Sequence, residues 1–196
     1  MSEEHSELAK DRIFFLEKQD VVFGDFEASS FVLDIGGGGE GVIGQMKGQQ
    51  VVAIDPSRQE LQEAADGPLK IVMDAGELMF LDGTFDVVTS FFTLMYIKSS
   101  KHQKVLGEVF RVLTSEGRFL IWDAELPRCL DDSKDIVAFY LSIELPDRKI
   151  ETGYGTKWPE SSQGLAYYKK IAASIGFNVF AQWQNGRVIF LELRKP

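Results

Sequence analysis

The chain has 196 residues, 44% hydrophobic and 26% charged, which suits a single globular domain over 1–196 with one core and leaves no room for two ordinary ones. Its formal net charge of −9, with lysines and arginines scattered rather than clustered, argues against nucleic acid as substrate or partner. One cysteine, Cys129, rules out an intramolecular disulfide and fits a reducing cytoplasm, as a partly buried bystander or an exposed thiol.

The opening residues, Ser2-Glu3-Glu4-His5-Ser6-Glu7, are acidic and polar, unlike a secretory signal with its basic and then apolar stretches. The longest apolar run, over 87–97, is interrupted by Thr89, Ser90 and Thr93 and is too short to cross a bilayer. A soluble cytoplasmic protein without membrane association is therefore expected. Residues 7–17, with Leu8, Ile13, Phe14 and Leu16, have a loosely amphipathic pattern that predicts a short helix, within an N-terminal lid segment spanning 1–29.

From residue 31 the pattern sharpens. Phe31-Val32-Leu33-Asp34-Ile35 is a short apolar run ended by glycines, as in a strand buried on both faces, and a helix is expected after the glycines, through Val42, Ile43 and Met46. Residues 50–54 predict a second strand. Ser57-Arg58-Gln59-Glu60 forms a capping box opening a helix to about residue 65. Residues 69–73 and 85–92 predict the third and fourth strands. A helix follows from Ser100 on the spacing of Val105, Leu106, Val109, Phe110 and Leu113, then a fifth strand over 117–122. This alternation predicts an α/β, Rossmann-like doubly wound sheet, mostly parallel. Asn185-Gly186 between the strand-like stretches 177–184 and 187–193 predicts a C-terminal antiparallel hairpin, giving seven strands.

The chemistry concentrates in the loops. Asp34-Ile35-Gly36-Gly37-Gly38-Gly39-Glu40-Gly41 joins a strand to a helix, and glycines there bring backbone N–H groups close to a ligand. Gly36, Gly38 and Gly41 also match the fingerprint of nicotinamide-dependent enzymes. Asp55, at the end of the second strand, is placed to accept both hydroxyls of an unphosphorylated ribose, or else, with Pro56, to end a strand.

Taken in order, Val32-Leu33-Asp34-Ile35-Gly36-Gly37-Gly38, Val51-Val52-Ala53-Ile54-Asp55, Met73-Asp74-Ala75, Asp82-Gly83-Thr84-Phe85-Asp86-Val87-Val88 and Phe110-Arg111-Val112-Leu113 with Glu116-Gly117 resemble the successive motifs of small class I, S-adenosylmethionine-dependent methyltransferases of the type 11 kind. The resemblance covers about residues 30–125 and implies the same sheet with its terminal hairpin. It implies S-adenosyl-L-methionine as cofactor, bound by Asp34, Gly36, Gly37, Gly38, Asp55, Pro56, Asp74, Ala75 and Phe91: Asp34 near the methionine amino group, Asp55 at the ribose, Asp74 and Ala75 at the adenine. A carboxylate at Asp34 disfavours the anionic pyrophosphate of a nicotinamide cofactor. The sequence departs from the family in placing Glu40 where the third glycine stands, and Met95 and Tyr96 where many relatives have histidines.

Methyl transfer from a sulfonium is an in-line displacement in which alignment supplies much of the rate, so no dedicated catalytic residue is required. Phe91, Phe92 and Tyr96 follow the fourth strand, either facing the sulfonium or packing in the core. Asp123, at the end of the fifth strand, is the first candidate for a general base, with Tyr96 and Tyr154 as alternatives. The string after the fourth strand, Ser90-Phe91-Phe92-Thr93, lacks the Asn/Asp-Pro-Pro-Tyr of enzymes that methylate adenine or glutamine. No metal-ligand spacing is present. Residues 127–160, rich in Tyr, Trp and Gly, are expected to be an insertion covering a small-molecule acceptor, or to supply the surface of a homodimer. The alternative to an enzyme is a non-catalytic S-adenosylmethionine-binding module.

Overall fold

In the computed structural model, which describes residues 11–129, 131 and 133–196, the chain opens with two short strands, β1 (Ile13–Phe15) and β2 (Gln19–Val22). It then alternates: β3 (Val32–Ile35), α1 (Val42–Lys47), β4 (Val51–Asp55), α2 (Arg58–Glu63), β5 (Leu69–Val72), β6 (Phe85–Phe91), α3 (Ser99–Val112) and β7 (Leu113–Ala124). Two further strands, β8 (Ile136–Glu144) and β9 (Lys149–Lys157), precede α4 (Leu165–Ile175) and the terminal pair β10 (Asn178–Asn185) and β11 (Val188–Arg194).

The main sheet has seven strands in the order β10-β11-β7-β6-β3-β4-β5. The five from β7 to β5 are parallel, and β11 is antiparallel to both β7 and β10. The terminal hairpin turns on Gly186-Arg187, between the paired Asn185 and Val188, one residue later than the expected Asn-Gly turn; Gly186, at φ of 57°, takes the first central position, where a two-residue hairpin loop favours glycine. This is the doubly wound, mostly parallel sheet the alternation implies. The chain order reverses between β3 and β6, and such a switch point leaves a crevice at the carboxyl ends of the strands.

Each face of the sheet has its own core. On one, Val105, Leu106, Val109 and Val112 of α3 and Tyr168 and Ala172 of α4 pack on Leu33, Val88, Ile121 and Leu191. Each valine, leucine or isoleucine buried there contributes roughly 1.5–3 kcal/mol. On the other face lie Val42 and Ile43 of α1 and Leu61 of α2, with Phe23, Phe91 and Trp122. Ser57 caps α2 by accepting from the Glu60 N–H at 3.3 Å, as the capping box predicts, although the helix stops at Glu63.

Two expectations are corrected. The helix expected over 7–17 falls partly on residues 1–10, outside the described residues, and where 11–17 are described they carry β1 instead. The fifth strand starts at Leu113 rather than 117, with Glu116 at a positive φ of 60°. Residues 127–160 form secondary structure of their own: β8 and β9 pair antiparallel from Ile136↔Lys157 to Glu144↔Lys149. Along the other edge of β8 run β1 (Ile13↔Ile136) and β2 (Gln19↔Leu141), both parallel to it. This small sheet packs Val137, Phe139, Leu141 and Ile143 into the second core. No helix among the described residues is long and apolar enough to cross a membrane.

Candidate active site

At the carboxyl ends of β3, β4 and β6 lies a cleft of about 900 Å³. Asp34, Gly36, Gly38, Asp55, Pro56, Asp74, Ala75 and Phe91 line it, and so do Tyr96 and Tyr154. Gly37 does not: a Cβ there would sit 2.7 Å from Asp34 Oδ2 and 2.8 Å from Ala53 Cβ, so this glycine is needed for packing behind the loop. Gly36, at φ 72°, is held where a Cβ would come 2.2 Å from Thr93 Oγ1. Among the described residues no group of three or more His, Cys, Asp or Glu could hold a metal.

Asp34 is buried, and its Oδ1 accepts from Thr89 Oγ1 at 2.7 Å. Burial pushes its carboxyl up to about 7, against the Thr89 hydrogen bond, and the nearby Asp55 charge adds to the rise. A buried carboxylate that lines a cleft and takes part in no ion pair among the described residues fits a ligand that brings a cation. Asp55 is also raised, by burial first, while the Ser57 N–H donating to Oδ1 at 2.7 Å and the Gly38 N–H favour its charged form. Asp74 is lowered, chiefly because its Oδ1 accepts the Gly76 N–H at 2.7 Å, with Lys101 3.4 Å from Oδ2. Three acidic side chains on three successive strand ends thus face one space in different electrostatic states.

β6 ends at Phe91, and Phe92 turns sharply, with φ of 48° in a non-glycine residue. Its N–H donates to Trp122 O at 2.7 Å, and its ring lies 5.6 Å from that of Tyr154. The 3₁₀ turn Leu94–Tyr96 follows and brings Tyr96 to the cleft, half exposed; burial pushes its phenol up to about 12, with the charges of Glu40, Asp123 and Glu60 adding.

The structure does not bring Asp123 to the cleft. It is 0% exposed beneath the turn, where Oδ2 accepts the Met95 N–H at 3.2 Å and Oδ1 that of Ala124 at 2.7 Å. Burial raises it to about 7 although these N–H groups favour the charge.

Two features escape the sequence reading. Glu40, on its face a defect in a glycine loop, accepts from Thr152 and Tyr154 of β9. His102, buried on α3, bridges Tyr167 OH (2.9 Å) and Leu94 O (3.0 Å), tying the helix to the turn that carries Tyr96.

The family described as "Methyltransferase domain" matches residues 33–121, the stretch from β3 to β7 that builds the cleft. No curated protein matches the chain in sequence. Among solved structures it is similar to the PH0226 protein of Pyrococcus horikoshii (TM-score 0.63, 18% identity, covering 85% of this chain and 83% of that one). It is also similar to a SAM-dependent methyltransferase of Methanosarcina mazei (0.60, 15%, 87% and 94%) and to the sugar N-methyltransferase KedS8 of Streptoalloteichus (0.59, 13%, 86% and 81%). At these identities the likeness speaks to the fold. Residues 33–121 thus carry a methyltransferase domain, and the match supports methyl transfer with S-adenosylmethionine as the cosubstrate.

Proposed function

We propose that the cleft binds S-adenosylmethionine along the strand ends and that the enzyme methylates a small molecule admitted beneath the β8–β9 hairpin. The observation that carries this reading is convergence. Side chains from three separate sequence motifs, Asp34, Asp55 and Asp74, together with Phe91 at the end of β6, line one cleft that also holds the bare backbone of Gly36 and Gly38. In this reading Asp34, once ionised, faces the amino group of the methionine end, and Gly36 and Gly38 let the backbone approach it. Asp55, beside Pro56, accepts from the ribose hydroxyls, and Asp74 and Ala75 border the adenine.

The bound cosubstrate supplies an electrophilic methyl group on a sulfonium. The protein's part is to align the acceptor, to exclude water and to stabilise charge. Phe91, Phe92 and Tyr96 offer aromatic faces beside the strand that ends there. The N-terminal strands and the β8–β9 hairpin, joined in one small sheet, close the acceptor side. Tyr96 lines the cleft and can touch an acceptor, whereas Asp123 acts on the turn that carries Tyr96.

Calorimetric titration with S-adenosylmethionine, S-adenosylhomocysteine and NADH, on the wild type and on Asp55→Ala, tests the reading. Binding of both adenosyl ligands, weakened by about tenfold or more in the variant, is the expected result. Binding of NADH alone would overturn it.

A further inference from the structure

Glu40 is the acidic side chain of the glycine loop, and it reaches the hairpin above the cleft: Thr152 donates to Oε1, and Tyr154 donates to Oε2 at 3.1 Å. Its carbonyl is held too, accepting from Gln45 Nε2 at 2.6 Å. Both carboxylate donors are neutral hydroxyls. Tyr154 stays a phenol, because burial and then the charge of Glu40 push its ionisation far up. Glu40 takes part in no ion pair among the described residues. Among the described residues no cation answers the charge of this partly buried carboxylate, whose two donors are neutral. Its neighbours register that charge: behind burial, it contributes to the raised values of Glu60 and Tyr96.

The ring of Tyr154, whose hydroxyl donates to the carboxylate, stands against two others. The planes of Phe92 and Tyr154 lie 27° apart, while Tyr96 meets Tyr154 nearly edge-on, at 87° and 6.4 Å. All three line the cleft together with Glu40. Phe92 is held in its place by a backbone conformation that side chains rarely adopt. Aromatic faces beside a fixed, uncompensated carboxylate favour an ammonium over a neutral group of the same shape.

We propose that Glu40 and the corner formed by Phe92, Tyr96 and Tyr154 recognise the methyl acceptor, and that this acceptor is an amine, bound as its ammonium. The proposal rests on the reading that the same cleft holds S-adenosylmethionine. Before transfer the ammonium gives one proton to the Glu40 carboxylate, which passes it to water, and this removes the positive charge that would repel the sulfonium. The nitrogen lone pair then forms the N–C bond as the C–S bond breaks, with the electron pair of the broken bond left on sulfur as a neutral thioether. The methylated nitrogen ends with the positive charge that sulfur has lost.

The test uses the protein loaded with S-adenosylhomocysteine and two isosteric probes, benzylamine and benzyl alcohol, with binding followed at pH 7 by calorimetry or ligand-observed NMR. Benzylamine is expected to bind at least about tenfold more tightly than the alcohol. Glu40→Gln, which keeps the size and a hydrogen-bond acceptor but not the charge, is expected to abolish that preference. It should leave the Kd for S-adenosylhomocysteine within about threefold, which also certifies the variant's fold. Equal binding of the two probes, binding of neither, or a preference that persists in Glu40→Gln would overturn the proposal with the cofactor reading intact. Failure of the wild type to bind S-adenosylhomocysteine would instead overturn the cofactor reading and the amine proposal with it.

Discussion

Tyr154 and Glu40 stand 114 positions apart in the chain, yet the phenol of one donates to the carboxylate of the other across 3.1 Å. With the neighbouring bond from Thr152, this contact fastens β9 to the glycine loop. Tyr154 packs against Phe92 and Phe139 as well, so polar and apolar contacts both hold the hairpin over the cleft.

If those two hydroxyls secure the hairpin, Thr152→Val combined with Tyr154→Phe keeps the side-chain shapes and removes the bonds. Glu40 is only partly buried and can turn to water, so the cost is modest, about 1 kcal/mol. The effect is expected to be local. Amide hydrogen exchange of 149–157 and of the paired strand 136–144 should quicken, while that of β3, β4 and β6 stays as it was. Uniform acceleration across the main sheet would show that the bonds serve global stability instead.

Gly36 combines a φ of 72° with a would-be Cβ 2.2 Å from Thr93 Oγ1. Gly36→Ala therefore incurs a left-handed backbone penalty of roughly 1–2 kcal/mol, and Thr93 must also move out of the way. Loss of thermal stability together with loss of S-adenosylhomocysteine binding is expected. At Gly48, also at a positive φ of 53° but with nothing within 4 Å of its would-be Cβ, alanine should incur backbone strain without a side-chain clash and leave binding unchanged. Melting curves with and without ligand separate the two cases.

The parts of the fold that were legible in the sequence are those whose signal is local. Val32-Leu33-Asp34-Ile35 is a fully buried strand because an apolar run between turn signals has few other uses, and Ser57 caps a helix with a partner three residues away. What was not legible depends on distant partners. Residues 13–22 form strands because they lie along β8, more than a hundred residues on, and in isolation their weak pattern resembles a helix. The hairpin did leave a trace, since 149–157 alternates between exposed and partly buried positions throughout. Two glycines and a tyrosine within 149–157 give the stretch a loop-like composition that masks that period of two. In the cleft, the acidic residues at strand ends could be named from their motifs. The role of Glu40 could not, because its partners lie on a hairpin the motifs do not include.

The raised carboxyl of Asp34 gives ligand binding a pH dependence with a definite sign. Burial holds it near 7 in the free protein, and a ligand that presents a positive amino group favours the charged form, so binding below that pH must expel a proton. The affinity for S-adenosylhomocysteine is therefore expected to be level above pH 7 and to fall below it, by up to about tenfold per pH unit. Asp34→Asn keeps an acceptor for Thr89 but has no proton to lose. Its affinity should be weaker at pH 8 and flatter between pH 5 and 8. A wild-type profile without a bend near 7 would detach Asp34 from the amino group.

Asp123 supports Tyr96 without reaching the cleft, and that distinction can be measured. Its two oxygens accept from different N–H groups, Met95 on one side and Ala124 on the other. An asparagine has a single acceptor oxygen, so in Asp123→Asn one of these buried N–H groups faces an amide NH₂ and loses its partner, at a cost of about 1–3 kcal/mol. The damage should centre on the turn Leu94–Tyr96, with faster amide exchange there and a lowered Tm. For turnover, a residue that positions Tyr96 and one that accepts the acceptor's proton make different predictions. The positioning role lowers kcat/KM by a similar factor at every pH and leaves the shape of the profile unchanged, because no titrating base has been removed. The proton-accepting role abolishes the limb of the profile that rises with pH. The structure favours the first outcome, since the carboxylate is 0% exposed and both of its oxygens are engaged by backbone N–H groups.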